Sequence, residues 1–418
     1  NDWIFYGPFS DKTLLRNALT FEIGKRLNVY SSRTRFFELV INDDYKGLYL
    51  LMEQIKQDKN RVDIAKLNPQ DTVGNEITGG YIFRLDKIEP NGSPGFYSNP
   101  SPSFPNYNPN YFQFFDPKAD NMSLPQKQYI EEYLEETESV LAGPNFADTI
   151  NGYQKYLDLN SFVDYQIINE LTKNVDGYRF STYFYKDKNN KIFAGPMWDF
   201  NLGYGNVDYW NEALDTDGWI YPYGDRLWWT QRMLQDTTYA KALDCQWNYL
   251  RQGVLSEQGV NDLIDSMVTY LGPAIQRNYE RWPVLGQYIW PNAYVGLTHL
   301  SEVNFLKNWI ADRSEWLDLQ WTYVCPAPPP PPVGSDEISD ISIITLYPNP
   351  AHNFIKAVGN LQGNYIISIT DLSGKILLQK SNSNNVQPTI NIENLSSGVY
   401  VFKLKNNFYT YTAKFIKQ

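Results

Sequence analysis

Residues Pro326 to Pro332 most constrain the fold, because six of the seven are proline. Proline has no backbone N–H and fixes φ near −65°, so the run cannot continue a helix or sit inside a sheet. An extended, semi-rigid polyproline II spacer is expected, dividing the chain into residues 1–325, a linker over 326–337, and residues 338–418. The pattern differs on the two sides. Beyond the spacer, short alternating runs predict strands at 341–346, 354–358, 365–370, 376–380, 389–392, 399–405 and 409–415. With turns such as 371–374 and 396–398 between them, they predict a small all-β, immunoglobulin-like sandwich.

Before the spacer the pattern is α+β. Leu14, Leu15, Ala18, Leu19, Ile23 and Leu27 recur at helical spacing and predict a helix over 10–28, capped by Ser10 or Asp11. Alternation predicts strands at 36–41 and 48–52 about the turn at 42–44 and Gly47, and a third at 81–85 after Gly79-Gly80. Residues 89–124, rich in Pro, Asn, Ser and Gly, read as a long loop whose aromatics rest on a surface. Helical patterns follow at 125–142, 159–173, 229–251, 256–281 and 299–321. The stripe of the last, which includes Trp309 and Trp316, reads as core.

Formal charge is −11 over 418 residues. Residues 335–418 hold seven Lys against five Asp/Glu, so the preceding 334 carry −13. An acidic main domain argues against nonspecific nucleic-acid binding, which needs basic surface. No stretch reaches the roughly 20 apolar residues that span a bilayer. The chain neither begins with Met nor shows a charged-then-apolar leader, so any signal peptide is expected to have been removed or never included. The histidines are His299 and His352 alone, which disfavours Ser-His-Asp or Cys-His catalysis and metal-assisted hydrolysis. Cys245 and Cys325 cannot build a zinc site alone; a disulfide between them suits an oxidising compartment.

Candidate chemistry centres on Asp176 and Asp199. The run 181–185 predicts a strand, 186–191 a turn and 191–194 the return strand, a hairpin that would bring both carboxylates to one sheet end. One carboxylate to orient a hydroxyl and one to hold a divalent metal is what phosphoryl transfer needs. Asp176 follows a helix end and precedes Gly177, so it either orients a substrate hydroxyl or caps its own turn. Asp199 is either a metal ligand or a strand-end Asp bonded to local amides. Glu53 with Lys56, or Glu53 with Lys87, could form a phosphate-positioning ion pair, or ordinary surface pairs. Arg16 is either a phosphate clamp or the partner of a buried carboxylate such as Glu38. Asp215-Thr216-Asp217-Gly218 resembles the start of a Ca²⁺ loop but lacks its closing Glu.

Tyr347-Pro-Asn-Pro350, Asp371-Leu-Ser-Gly-Lys375 and Leu395-Ser-Ser-Gly-Val-Tyr400 resemble the C-terminal sorting domain of the type IX secretion system. That resemblance implies export across the outer membrane to the cell surface or medium, through contact with the secretion machinery. Residues 1 to about 325 resemble the CotH spore-coat kinase family, through residues 11–17, 42–49 with Glu53, 56–61, 79–81 with Asp86-Lys87, Asn174-Val-Asp176 and Trp198-Asp-Phe-Asn201. The family implies an atypical protein-kinase-like fold using ATP with Mg²⁺ or Mn²⁺ to phosphorylate Ser or Thr on proteins. In that scheme Asp176 is catalytic, Asp199 with Asn201 or Ser181 holds metal, and Arg16, Glu53, Lys56 and Lys87 bind the cofactor. The chain departs from the pattern twice. It begins where the family has already supplied an Arg-Gly stretch and a Lys-Lys pair, so an N-terminal truncation is expected. Ser181 also stands five residues after Asp176, where kinases carry a metal-binding Asn. The alternative is a catalytically weak or inactive surface binding or adhesion protein built on the same fold.

Overall fold

The computed structural model describes residues 2–27, 30–98, 109–325, 345–358, 365–371, 375–382, 388–405 and 410–418. The chain divides into two compact units, Asn1–Pro326 and Ala327–Gln418. The predicted linker at 326–337 lies outside the described residues.

In the first unit, β1 (Trp3–Tyr6), β2 (Thr34–Ile41) and β3 (Asp44–Glu53) form an antiparallel sheet of order β1-β3-β2. The predicted hairpin turns at Asn42 and Asp43, both left-handed (φ 50° and 62°), a conformation that Asn and Asp tolerate best among side-chain-bearing residues. A second antiparallel sheet contains β4 (Tyr81–Leu85), β5 (Gly95–Tyr97), β6 (Tyr111–Asp116), β7 (Thr182–Lys186) and β8 (Ile192–Ala194), in the order β5-β6-β4-β7-β8. The region read as a loop over 89–124 therefore supplies two strands. Their signal is short and interrupted, and pairing of β6 against β4 and of β5 against β6 stabilises them rather than local propensity.

The helices are α1 (Arg16–Gly24), α2 (Leu124–Ala142), α3 (Leu159–Thr172), α4 (Asn211–Leu214), α5 (Trp229–Met233), α6 (Thr237–Arg251), α7 (Glu257–Leu271), α8 (Pro273–Arg281) and α9 (His299–Gln320). Three expected helices change shape. Residues 10–15 do not join α1, because the buried Asp11 carboxylate accepts from the N–H groups of Thr13 (3.1 Å) and Arg16 (2.8 Å) and Leu14 adopts φ 66°. The run 229–251 breaks where Asp236 caps α6 by accepting from the Thr238 N–H at 2.9 Å. The run 256–281 breaks at Gly272-Pro273, since proline at a first helical position starts a new helix. By contrast α3, capped at Asp158 by a 2.9 Å bond from the Ser161 N–H, and α9, capped at Thr298, keep the expected spans to within a residue or so.

One apolar core joins α1, α2, α3, α6 and α9 to both sheets, with Leu15, Leu19, Leu134, Ile167, Ile168, Phe184, Trp229, Trp247 and Leu306 fully buried. Of the aromatic run 210–229, Trp228 and Trp229 belong to that core, and Trp219 packs against Trp316 and Trp321. Cys245 of α6 and Cys325 form a disulfide, fastening the end of the unit to α6.

The second unit contains two antiparallel sheets. β9 (Thr345–Tyr347), β10 (Phe354–Val358) and β13 (Thr389–Asn391) run in the order β13-β10-β9; β11 (Tyr365–Thr370), β12 (Ile376–Asn382), β14 (Gly398–Lys405) and β15 (Thr410–Lys417) run β12-β11-β14-β15. Inward residues of both sheets, among them Ile355, Ala357, Ile390, Ile367, Ile369, Phe402 and Phe415, make one buried cluster. The predicted strand at 341–346 is described only from Thr345, and the turn residues 372–374 lie outside the described residues.

Candidate active site

Strand register assembles the acidic end of the five-stranded sheet. Leu85 at the end of β4 pairs with Thr182 at the start of β7, so Asp86 and Lys87 leave the sheet beside Phe180 and Ser181. Ala194 of β8 pairs with Phe184, and the chain then runs through Gly195-Pro196 to Asp199. The three segments carrying Asp86, Ser181 and Asp199 thus converge because antiparallel pairing fixes which residues lie opposite.

Asp176 arrives from the other direction, off the end of α3. Lys173 closes the helix in a left-handed turn (φ 42°), and the Asn174 N–H bonds back to the Asn169 carbonyl at 3.2 Å. A Cβ on Gly177 would come within 2.6 Å of the Asn169 side-chain oxygen, so the turn accepts only glycine there without a shift. Asn174 ties the two acidic segments together. Its amide donates to the Asp199 carbonyl (3.3 Å), while its side-chain oxygen accepts from the Asp176 N–H (3.3 Å).

The Asp199 carboxylate is half-buried and accepts a 3.4 Å bond from the Ser181 hydroxyl. Both residues hold left-handed backbones, φ 65° and 48°, a conformation that residues bearing a Cβ adopt at a cost. Burial first, then the charges of Asp176 and Asp86, push the Asp199 pKa up to about 6, while Ser181 and Lys87 pull it back. Arg179 meets Asp176 at 3.3 Å and also pairs with Asp225. Its guanidinium and the Lys87 ammonium both lie over the Phe180 ring, 4.6 and 5.1 Å from its centroid. The Asn201 carbonyl accepts from the Asn206 amide at 2.9 Å.

The structure therefore gathers Asp176, Asp199, Ser181 and Lys87, with Asn201 two residues along the chain. The expected cofactor pairs form differently. Glu53 is buried and binds Arg33 through both carboxylate oxygens (2.8 and 2.5 Å), with Tyr30 and Arg61 nearby. Lys56 pairs with Asp2 at 3.0 Å. Hairpin register explains this: Thr34 lies opposite Met52, which sets Arg33 beside Glu53. Arg16 is fully buried, with Asp11 at 2.6 Å and the Gly203 carbonyl at 3.2 Å, whereas Glu38 pairs with Arg277. Arg16 is thus a structural partner of a buried carboxylate, which is Asp11 rather than Glu38. The carbonyls of Asp215 and Asp217 accept from the Lys173 ammonium, so the Ca²⁺-like run is a segment held by lysine.

Residues 1–317 match the family model described as CotH kinase protein. The chain belongs to the CotH family. Residues 345–418 match a secretion system C-terminal sorting domain, so this CotH protein is exported by the type IX route to the cell surface or extracellular space. Among the described residues no helix is long and apolar enough to cross a membrane. No curated protein matches the chain.

Sequence reasoning passed over Arg179 and Asp86 as site groups, although Asp86 stood in a motif and Arg179 lies three residues after Asp176. It also missed the buried group below the site. Glu170 and Arg313, both fully buried, pair at 3.4 Å. Glu170 accepts from the Ile220 and Tyr221 N–H groups, both at 3.1 Å, and Arg313 donates to the carbonyls of Thr216 and Gly218. With Lys173 they bind segment 215–221 to the end of α3, directly before Asp176. One polar residue amid helical periodicity gives no local signal of such a partner.

Proposed function

We propose that the CotH domain transfers the γ-phosphoryl of ATP to a Ser or Thr hydroxyl of a protein substrate, and that the C-terminal unit is an immunoglobulin-like sandwich addressing it for export. The observation that carries this reading is the pairing of Asp176 with Asp199 through Asn174 and the β7–β8 hairpin, beside the cations Lys87 and Arg179.

Asp176 accepts a hydrogen bond from the substrate hydroxyl and aims its oxygen at phosphorus. As the new P–O bond forms, the bond to the β,γ-bridging oxygen breaks, ADP leaves, and the hydroxyl proton passes to the Asp176 carboxylate. Arg179 and Lys87 offset charge on the phosphoryl oxygens. Among the described residues no group of three His, Cys, Asp or Glu forms a ready metal cage. The residues do fit a divalent ion shared with phosphate: Asp199 and the Ser181 hydroxyl are two oxygen donors, and a cation would offset the burial and the repulsion from Asp176 and Asp86 that raise Asp199. Mg²⁺ or Mn²⁺ held there would supply charge neutralisation at the phosphates.

A second reading, surface recognition without catalysis, draws on Tyr209 and Trp290. They are stacked with centroids 5.8 Å apart yet 48% and 65% exposed, near Asp208 and Tyr288. Incubation of the intact protein with γ-labelled ATP and Mn²⁺, beside Asp176→Ala, separates the two. Label incorporated by wild type and lost in the variant is expected. Equal incorporation, or none together with no thermal shift by nucleotide, removes the kinase reading.

A further inference from the structure

β2 is the outer strand of the β1-β3-β2 sheet, so one row of its N–H and C=O groups has no strand partner among the described residues. An unpaired edge is a template for another extended chain. Beside its first residues lies an open groove of about 420 Å³ lined by Thr34, Arg35 and Phe36 of β2, Leu263, Met267 and Tyr270 of α7, and the α1 side. Leu263, Ser266, Met267 and Tyr270 follow one another at helical spacing, so one face of α7 forms a wall. Tyr270 is 64% exposed despite its size. No lining residue belongs to the Asp176–Asp199 site.

Charge identifies the occupant. Arg26 and Arg35 both line this groove and are exposed, and neither pairs with a carboxylate among the described residues, whereas the carboxylate that also lines it, Glu22, is paired with Lys25. On a protein of net charge −11, two such cations beside an apolar floor mark a local reversal of sign. We propose that this groove binds an extended, acidic polypeptide segment as an added strand on β2, with its carboxylates on Arg26 and Arg35 and an apolar side chain between Phe36 and Met267. Backbone pairing supplies register and the alternate side chains supply selectivity.

The test uses the full chain with two fluorescein-labelled peptides, one alternating Glu with Val and one alternating Lys with Val, read by anisotropy. The acidic peptide should bind at least tenfold more tightly, and its affinity should fall as salt rises. Arg26→Glu with Arg35→Glu should abolish that preference, and Ser266→Lys, at an exposed position on the α7 wall, should strengthen it. Circular dichroism checks that each variant is folded. Equal binding of both peptides, binding of neither, or a double variant that binds like wild type would overturn the proposal. So would a dimer in sedimentation that the double variant dissociates, since the groove would then receive a second copy of this chain. None of these outcomes depends on phosphoryl transfer.

Discussion

Two carboxylates, Glu170 fully buried and Asp199 half-buried, flank the end of α3, and their surroundings are opposite. Burial pushes both upward in pKa. Around Glu170, Arg313 pulls the value back, and two backbone N–H groups and the Tyr178 hydroxyl (3.2 Å) point at the carboxylate. Around Asp199 the Ser181 hydroxyl and the Lys87 charge answer, and the charges of Asp176 and Asp86 push further the same way as burial. The first centre is complete within the protein and fastens one segment to another. The second is electrostatically unfinished, the condition expected where a charge must be ready for something that comes and goes.

The largest effect should come from breaking the completed centre. Arg313→Ala leaves Glu170 buried without its ion partner and frees the carbonyls of Thr216 and Gly218, so a loss of about 3–5 kcal/mol is expected in chemical denaturation. A loss below about 1 kcal/mol would erase the contrast between the two sites.

The opposite sign is expected at the unfinished centre. Asp199 has a folded pKa of about 6 against 3.8 for the ordinary side chain. A raised carboxyl contributes most below the unfolded value, and that contribution is lost as pH rises through the folded one. Asp199→Asn should therefore match wild type near pH 4 and exceed it by up to about 2 kcal/mol at pH 8, while phosphoryl transfer is lost. A variant less stable than wild type at pH 8 would contradict this assignment. Glu138 sharpens the comparison without any site nearby. Burial raises it to about 7, and the Trp229 indole N–H donates to it at 2.9 Å. Glu138→Gln should gain about 1–2 kcal/mol between pH 5 and 8 with phosphoryl transfer unchanged, measured by thermal melts across that range.

The smallest effect concerns Ser181. Its left-handed backbone suits Asn, whose side-chain oxygen is the better ligand, so Ser181→Asn should tighten Mn²⁺ binding several-fold with little change in melting temperature. Weaker Mn²⁺ binding in a titration would argue that the Ser181–Asp199 contact is purely structural.

Periodicity and punctuation announced the helices α2, α3 and α9, the β2–β3 and β7–β8 hairpins, and the strand-rich character of the C-terminal unit. These depend on contacts within a few residues, where side-chain pattern and backbone preference agree. Ordered motifs likewise marked the stretches around Asp176 and Asp199. The partners of charged groups were not legible. Glu53 looked equally able to meet Lys56 or Lys87, and hairpin register gave it to Arg33. Arg16 had several conceivable carboxylates, and the turn before α1 gave it Asp11. β5 and β6 were hidden because β6 gains its stability from β4 and β5 from β6, and not from their own sequence.

The amino-acid order alone determined the division at the proline run, the change from α+β to all-β pattern, and the positions of two acidic residues at helix and strand ends. Only the tertiary structure decided which charges are neutralised and which are left facing one another. Periodicity is a property of neighbours along the chain, whereas an ion pair depends on distances between segments that register and packing bring together.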